Sequence, residues 1–439
     1  MKRVMCIALY LFLCCSFVSS AFGEDMDERI KKLEEKIEAQ QKEIDTLKGD
    51  AAKQENQNNT QPAKEDAALK VSGLFGASAL TNPNISLVLD TFVYASNLTH
   101  TELTNRGIPN FTATGLDDRR NGFNLREGEL SFFAPVDPYV NLYANLPLDE
   151  NGITIEELYV VTTFLPKGVQ IKGGKFKSNF SRLDAQHPHA WDFYDIALPY
   201  RAFLGDEGLG GQKGVQFTYL PPLPIYTLIG VEGFQGENDL LFGNNASEGP
   251  HALSAFVKFS IDTTDNSTLY LGPSVLYGKT KNQNVIPGAE VTGNSTLYEM
   301  EGVWKWKPSN QKALTIQGEY LLLTTQSGNT TDLTTMAVDS LLRKQDGFYV
   351  QTMYRFNRWG LGARYDMLNV FTDTFKRAGV QQNYGTPQRE TIVAEFNASE
   401  FTRIRLQLAH DRSDPYGRTN NEAILQFLFG IGAHAAHAF

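Results

Sequence analysis

The side chains most capable of chemistry cluster in 181–213, SRLDAQHPHAWDFYDIALPYRAFLGDEGLGGQK. His187 and His189 sit two residues apart, with Asp184, Asp192 and Asp195 close by. Imidazole and carboxylate together make a donor set for zinc or another divalent ion. Pro188 between the histidines sets an extended turn that points the two rings differently, so HPH is a metal candidate and not a metal motif. The same stretch carries opposed charges, Arg182, Asp184, Asp192, Asp195 and Arg201. In a narrow aqueous passage such charges act as an electrostatic filter. On a rim or at a subunit contact they would only hold structure, and both readings stay open here. The aromatics and prolines favour an ordered loop. No catalytic set accompanies it: Gly-x-Ser-x-Gly, His-Glu-x-x-His and the nucleotide-binding glycine motifs are all missing, so neither an enzyme nor a cofactor is expected.

The elements that must position this loop repeat with period two. From Ala423 onward Leu425, Phe427, Phe429 and Ile431 alternate with Gln426, Gly430 and Gly432, and the sequence closes on Phe439. This is a strand with one apolar face, long enough to cross a bilayer, where about 9–11 tilted residues suffice. About sixteen such strands are expected, at 85–95, 123–134, 139–148, 153–164, 169–180, 214–220, 226–234, 252–261, 268–277, 296–306, 313–324, 347–356, 359–370, 390–397, 401–411 and 422–439. Tight turns rich in Pro, Gly, Asn and Asp alternate with longer loops, the asymmetry of an outer-membrane barrel. The fold class is therefore an all-β transmembrane barrel of about 16 antiparallel strands, preceded by a short N-terminal α-helical coiled coil.

Several strands show their faces clearly. Ile404, Leu406 and Leu408 alternate with Arg403, Arg405 and Gln407, and Tyr298, Met300 and Trp304 alternate with Glu299, Glu301 and Lys305. Leu361, Ala363 and Tyr365 alternate with Gly362, Arg364 and Asp366. A face this charged must be paired or must border water. The expectation is apolar residues towards lipid, a hydrated lumen lined by Lys172, Arg126, Arg364, Arg403, Arg405, Glu299 and Glu301, and Trp and Tyr girdles at the interfaces. Charges of both signs predict a transverse field, not a ladder of one sign.

Lys2 and Arg3, the apolar run 4–18 and Ser19-Ser20-Ala21 predict a signal peptide over 1–23. All three cysteines fall within it, which leaves no thiolate or disulfide chemistry for the exported chain. Met26, Ile30, Leu33, Ile37, Gln40, Ile44 and Leu47 step by fours and threes and predict a coiled coil over 24–48, with a self-associating seam. The polar stretch 49–70 reads as a flexible linker, and 71–439 as the barrel. A net charge of −10 without a basic patch argues against a nucleic-acid partner.

The barrel start NPNISLVLD (82–90), the run FNLREGELSFFAPVDPY (123–139), the segment GGKFKSNFSRLDAQHPH (173–189) and the terminal Phe439 together resemble the phosphate-selective porin O and P family of Gram-negative outer-membrane porins. The resemblance implies a trimeric sixteen-stranded channel for small anions in the outer membrane, with the coiled coil in the periplasm. It also implies a third outer loop, 181–213, folded inside the barrel as a constriction. The partners expected are outer-membrane lipid, further copies of the chain and small solutes. The function expected is passive diffusion of small ions or hydrophilic solutes. A structural anchor, or a metal-binding uptake protein without general pore activity, is the alternative.

Overall fold

A computed structural model describes residues 83–113, 119–243 and 246–432. The segments read as signal peptide, coiled coil and linker lie outside the described residues, as do His434, His437 and Phe439. Sixteen long strands follow in chain order: β1 Asn84–Ser96, β2 Gly122–Asp137, β3 Val140–Asp149, β4 Glu157–Thr162, β5 Val169–Lys177, β6 Gly211–Tyr219, β7 Tyr226–Phe234, β8 Ala252–Thr264, β9 Ser267–Ile286, β10 Ala289–Ser309, β11 Lys312–Asp332, β12 Val338–Phe356, β13 Trp359–Arg377, β14 Gln388–Ser399, β15 Thr402–Arg412 and β16 Asn420–Gly432. The pairs Gly152–Ile153 and Val380–Gln381 extend the ladders of β3 and β13. Each strand pairs antiparallel with the next, and β16 returns to β1 in register from Ser86↔Gly432 to Ser96↔Glu422. Closure leaves no open sheet edge, as spanning a bilayer requires.

The packing is inverted relative to a water-soluble protein. On β10, Met300 is 47% exposed while Glu299 and Glu301 on either side are 4% and 1% exposed. On β15, Leu406 is 45% exposed and Arg405 is 1% exposed. Apolar side chains that stay on the outside, with charges enclosed, are placed for a hydrocarbon solvent. Aromatics mark two levels on this outer face. Near the short turns Trp359 packs on Phe396 at 4.8 Å and Tyr354 on Phe356 at 5.6 Å. Higher up, Phe348 packs on Tyr365 at 6.1 Å. The step from Phe356 to Phe348 along β12 is about 26 Å of strand, or about 20 Å of membrane depth at the usual tilt of roughly 40°.

The strands expected at 268–277, 296–306, 313–324, 347–356 and 359–370 are all longer than their apolar alternation. β9 to β13 run for 19 to 21 residues. Stretches read as loops, such as 278–295 and 325–346, continue the ladder through pairs such as Asn294↔Gln326 and Thr330↔Asp339. Beyond the upper aromatic level both faces leave lipid, so alternation fades although backbone pairing persists. Gly288 at φ +71°, in the turn between β9 and β10, lets that hairpin reverse tightly. The strand expected at 153–164 shortens instead to Glu157–Thr162.

The two regimes separate experimentally. Leu406→Arg on the lipid face should destabilise the barrel by about 2–4 kcal/mol. Val338→Arg, also outward but above the aromatic levels, should change stability by no more than about 0.5 kcal/mol. Reversible urea unfolding in lipid vesicles measures both, and equal costs would contradict the placement of the apolar band.

Candidate functional site

The segment between β5 and β6 enters the barrel and packs on its inner wall. Its neck is built locally. Ser178 Oγ donates to Glu232 at 2.5 Å, and the Asn179 amide donates to the other Glu232 oxygen at 3.0 Å. Asp184 accepts from Ser181 Oγ at 2.9 Å and from the Leu209 amide at 2.8 Å, so the outgoing and returning arms are tied at one carboxylate. Gly208 is required at this tie: its φ is +67°, and a Cβ there would collide with the Asp184 carboxylate. Burial pushes the Asp184 carboxyl up to about 6, against the Leu209 and Ser181 donors.

One side of the loop is held by apolar contact. Phe180, Trp191, Leu198, Tyr200 and Phe203 pack with Leu297, Leu321, Leu323, Tyr349 and Leu368 of the wall. The helix α1, Leu198–Phe203, starts with proline near its N-terminus, and its first amide donates to Asp366 at 3.0 Å. The other side is irregular backbone, and its carbonyls meet guanidinium groups. Arg126 donates to Tyr194 O at 2.7 Å, Arg405 to Trp191 O at 2.7 Å, Arg364 to Asp195 O at 2.8 Å, and Arg403 to His189 O. Gln407 accepts from the Tyr194 amide and donates to Asp195, both at 2.8 Å. Irregular backbone inside a barrel must find such partners, and the fixed fork of Arg reaches them from β-strand positions.

The loop's own charges are paired with the wall. Asp192 meets Arg355 at 2.6 Å, and Asp195 meets Arg364 at 3.1 Å and also pairs with Arg389. Burial would raise both carboxyls; Arg355 for Asp192, and Arg389 with Arg364 for Asp195, outweigh it and hold both below the usual range. Arg182 donates to Gln317 at 3.2 Å, and Arg201 pairs with Asp206 at 2.7 Å. Lys172 lies over the Tyr159 and Phe176 rings at 5.0 and 5.2 Å. Arg364, Arg405, Glu299 and Glu301 lie on the buried phase of their strands and are covered, so they do not border open water. Glu301 pairs with Lys258, and Glu319, which accepts from Tyr200 and Tyr349, lies beside it. By contrast the inward Arg355 side chain, near the short-turn end, is 38% exposed. Lys305, Arg182 and Arg403 are half-buried in the same region.

The histidines depart from expectation in two ways. Their rings do not diverge: they stack with centroids 5.6 Å apart and planes 20° from parallel, because Pro188 opens a 3-10 turn at 188–190. Their carboxylate neighbours are also not the loop aspartates, which are drawn to Arg355, Arg364, Arg389 and the neck. His187 instead meets Glu156 at 2.9 Å, Glu157 at 2.9 Å and Glu129 at 3.2 Å, and His189 meets Glu129 at 3.2 Å. Burial pushes the His187 imidazolium down, but Glu156 above all, with Glu129 and Glu157, holds it well above its ordinary value. Sequence reasoning missed Arg389, Glu156 and Glu157. Alternation within β14 would have found Arg389, which shares the inward phase of Glu395. The irregular backbone at 154–156 hides the two glutamates.

No family model matches the chain. An uncharacterized protein of Aquifex aeolicus (strain VF5) is 38% identical over 382 residues, covering 81% of this chain and 80% of the relative. Among solved structures, the outer membrane channel DcaP of Acinetobacter baumannii superposes with a TM-score of 0.51 at 12% identity, over 82% of this chain and 100% of that one. The anion-selective porin from Comamonas acidovorans gives 0.48 at 8% identity, over 80% and 100%. The sixteen-stranded closed barrel is thus the fold of known outer-membrane proteins.

Asp195→Ala should destabilise the barrel by about 1–3 kcal/mol: it removes the carboxylate that Arg389 and Arg364 share and leaves Arg389 to Glu422 and Arg364 to Asp366. Asp192 and Asp195 titrate low in the fold, so their contribution is complete above about pH 3.9 and fades as pH falls towards their folded values. His187 titrates high, so its contribution is complete below about pH 6.5 and fades as pH rises through its folded value. Asp184 opposes Asp192 and Asp195, costing stability as pH rises from about 3.9 to about 6. Limited proteolysis of the loop across pH checks this: protection should fall in acid below about pH 4 and again in alkali.

Proposed function

We propose that this chain, which belongs to the same family as the Aquifex aeolicus protein, forms a water-filled outer-membrane channel for passive diffusion of small ions or hydrophilic solutes. The loop 178–210 is its constriction. The observation that carries this reading is the Arg355–Asp192 pair on the inward face, where the Arg355 side chain is 38% exposed. A water-accessible ion pair inside a cylinder whose outside is apolar implies an enclosed aqueous space.

Selectivity follows from which charges meet that water. Arg182, Lys305, Arg355 and Arg403 surround Asp192 and Glu395 near the short-turn end, so the vestibule carries more positive than negative charge and favours small anions. Arg364, Arg389 and Arg405 are occupied by the loop and act as its scaffold. Lipid surrounds the barrel, and the aliphatic outer face of β1 to β4 suits association with further copies, a trimer being the arrangement implied by the resemblance. No catalytic role is assigned to any residue.

Planar-bilayer recording tests the channel. Stepwise conductance with a reversal potential favouring anions is expected from the folded, heat-modifiable protein. Removing one unit charge about 4–8 Å from the ion path is worth roughly 0.5–1 kcal/mol in water. Arg355→Ala should therefore lower the anion-to-cation permeability ratio by about two- to fivefold. Arg405→Ala should instead raise current noise with little change in that ratio. Folded barrels that never conduct would remove the channel reading.

A further inference from the structure

His187 is surrounded in a way that one proton satisfies poorly. Its Nε2 lies 2.9 Å from Glu157 Oε2 and 3.2 Å from Asn145 Nδ2. Its Nδ1 faces two carboxylate oxygens at once, Glu156 Oε2 at 2.9 Å and Glu129 Oε2 at 3.2 Å. An imidazole nitrogen carries one hydrogen in one direction, so it cannot donate well to both. Lys177 Nζ takes the other Glu156 oxygen at 2.8 Å, which leaves Oε2 turned towards His187. Glu129 Oε2 is shared again with His189 Nδ1, at 3.2 Å.

These atoms already stand close to a coordination polyhedron. Bonds of about 2.0–2.2 Å in a tetrahedral zinc site place ligand atoms roughly 3.3–3.5 Å apart. The separations around His187 Nδ1, 2.9 and 3.2 Å, are a few tenths shorter. A carboxylate on the far ring nitrogen is also the usual support of a metal-bound histidine: with the Nδ1 proton displaced by the ion, Glu157 would hold the tautomer that turns the Nδ1 lone pair inward. The neighbouring set Glu127, Glu129 and His189 shares Glu129.

We propose that His187 Nδ1, Glu129 and Glu156 bind one first-row divalent transition ion, of the zinc class, with Glu157 as its supporting residue. Mixed nitrogen and oxygen donors favour such ions over calcium or magnesium. The ligands come from β2, from the residue before β4 and from the inserted loop. The ion therefore staples the constriction to the wall. This rests on the reading of 178–210 as a constriction, and the test keeps the two apart.

The full chain is refolded in detergent after chelation, checked for heat-modifiability and titrated with zinc by calorimetry and with cobalt by visible absorption. One saturable ion per barrel is expected, with cobalt d–d bands of a four- or five-coordinate nitrogen and oxygen site. Glu157→Gln should weaken affinity by about 10–100-fold, and His187→Ala should abolish binding. If His187→Ala does not fold, Glu157→Gln and the wild-type cobalt spectrum still decide. Folded wild-type protein without saturable binding, or with binding unchanged in Glu157→Gln, overturns the site. Conductance of the metal-free protein is read separately: a conducting barrel that binds no metal ends this proposal and leaves the channel intact.

Discussion

Every backbone amide and carbonyl that this barrel shields from water must find a partner within the protein, and most features of the chain answer that demand. The strands answer it by closing, so that β16 pairs back onto β1. The inserted loop has no sheet neighbour along 189–196, and it answers with side chains: Arg126, Arg364, Arg403, Arg405 and Gln407 take its carbonyls and amides. Without those donors the irregular segment would expose unpaired polar groups in a confined space, at a cost of roughly 1–3 kcal/mol for each one buried.

The loop is therefore held by two kinds of force on two arcs of the wall. Aromatic and aliphatic contact dominates along β10 to β13, where Leu297, Leu321, Leu323 and Leu368 break the polar inner face. Charge pairing dominates along β12 to β15 and β2. Apolar contact gives adhesion with little directional preference, whereas forked guanidinium contacts set the path of the chain. Buried ion pairs seldom add net stability over apolar replacements. Their use here suits a loop that must lie in one place across a hydrated cylinder.

What could be read from residues alone follows the solvent. The inward phase of Arg403, Arg405, Glu299, Glu301 and Arg364 was legible because lipid makes the opposite face uniformly apolar. The Thr-rich stretch 324–332 was not legible, because past the aromatic levels both faces of β11 leave lipid and the alternation vanishes while the ladder continues. All sixteen strands are legible in the alternation, and β9 to β13 run furthest beyond it. In the loop, the charged residues and histidines could be picked out by type, but their partners could not. Asp195 meets Arg389 and His187 meets Glu156 only through closure of the barrel, across separations in sequence that no local pattern encodes. The stacking of His187 on His189 depended on whether Pro188 opened a 3-10 turn, a local choice that the dipeptide leaves open.

Burial divides one set of charges into two roles. Arg405 is inward and fully covered, and its hydrogens go to Trp191 O and Gln426. Arg355 is inward too, and pairs with Asp192 and Glu395, yet more than a third of its side chain meets water. A charge that is desolvated and covered by the loop acts first on its fixed partners at short range. A charge at the water boundary is screened over about 8–10 Å at physiological salt, but within that distance it acts on whatever passes. The alternation of a strand therefore says which residues face inward, and the path of the loop says which of those remain available to a solute. Selectivity in such a barrel is set as much by what the loop covers as by what the wall carries.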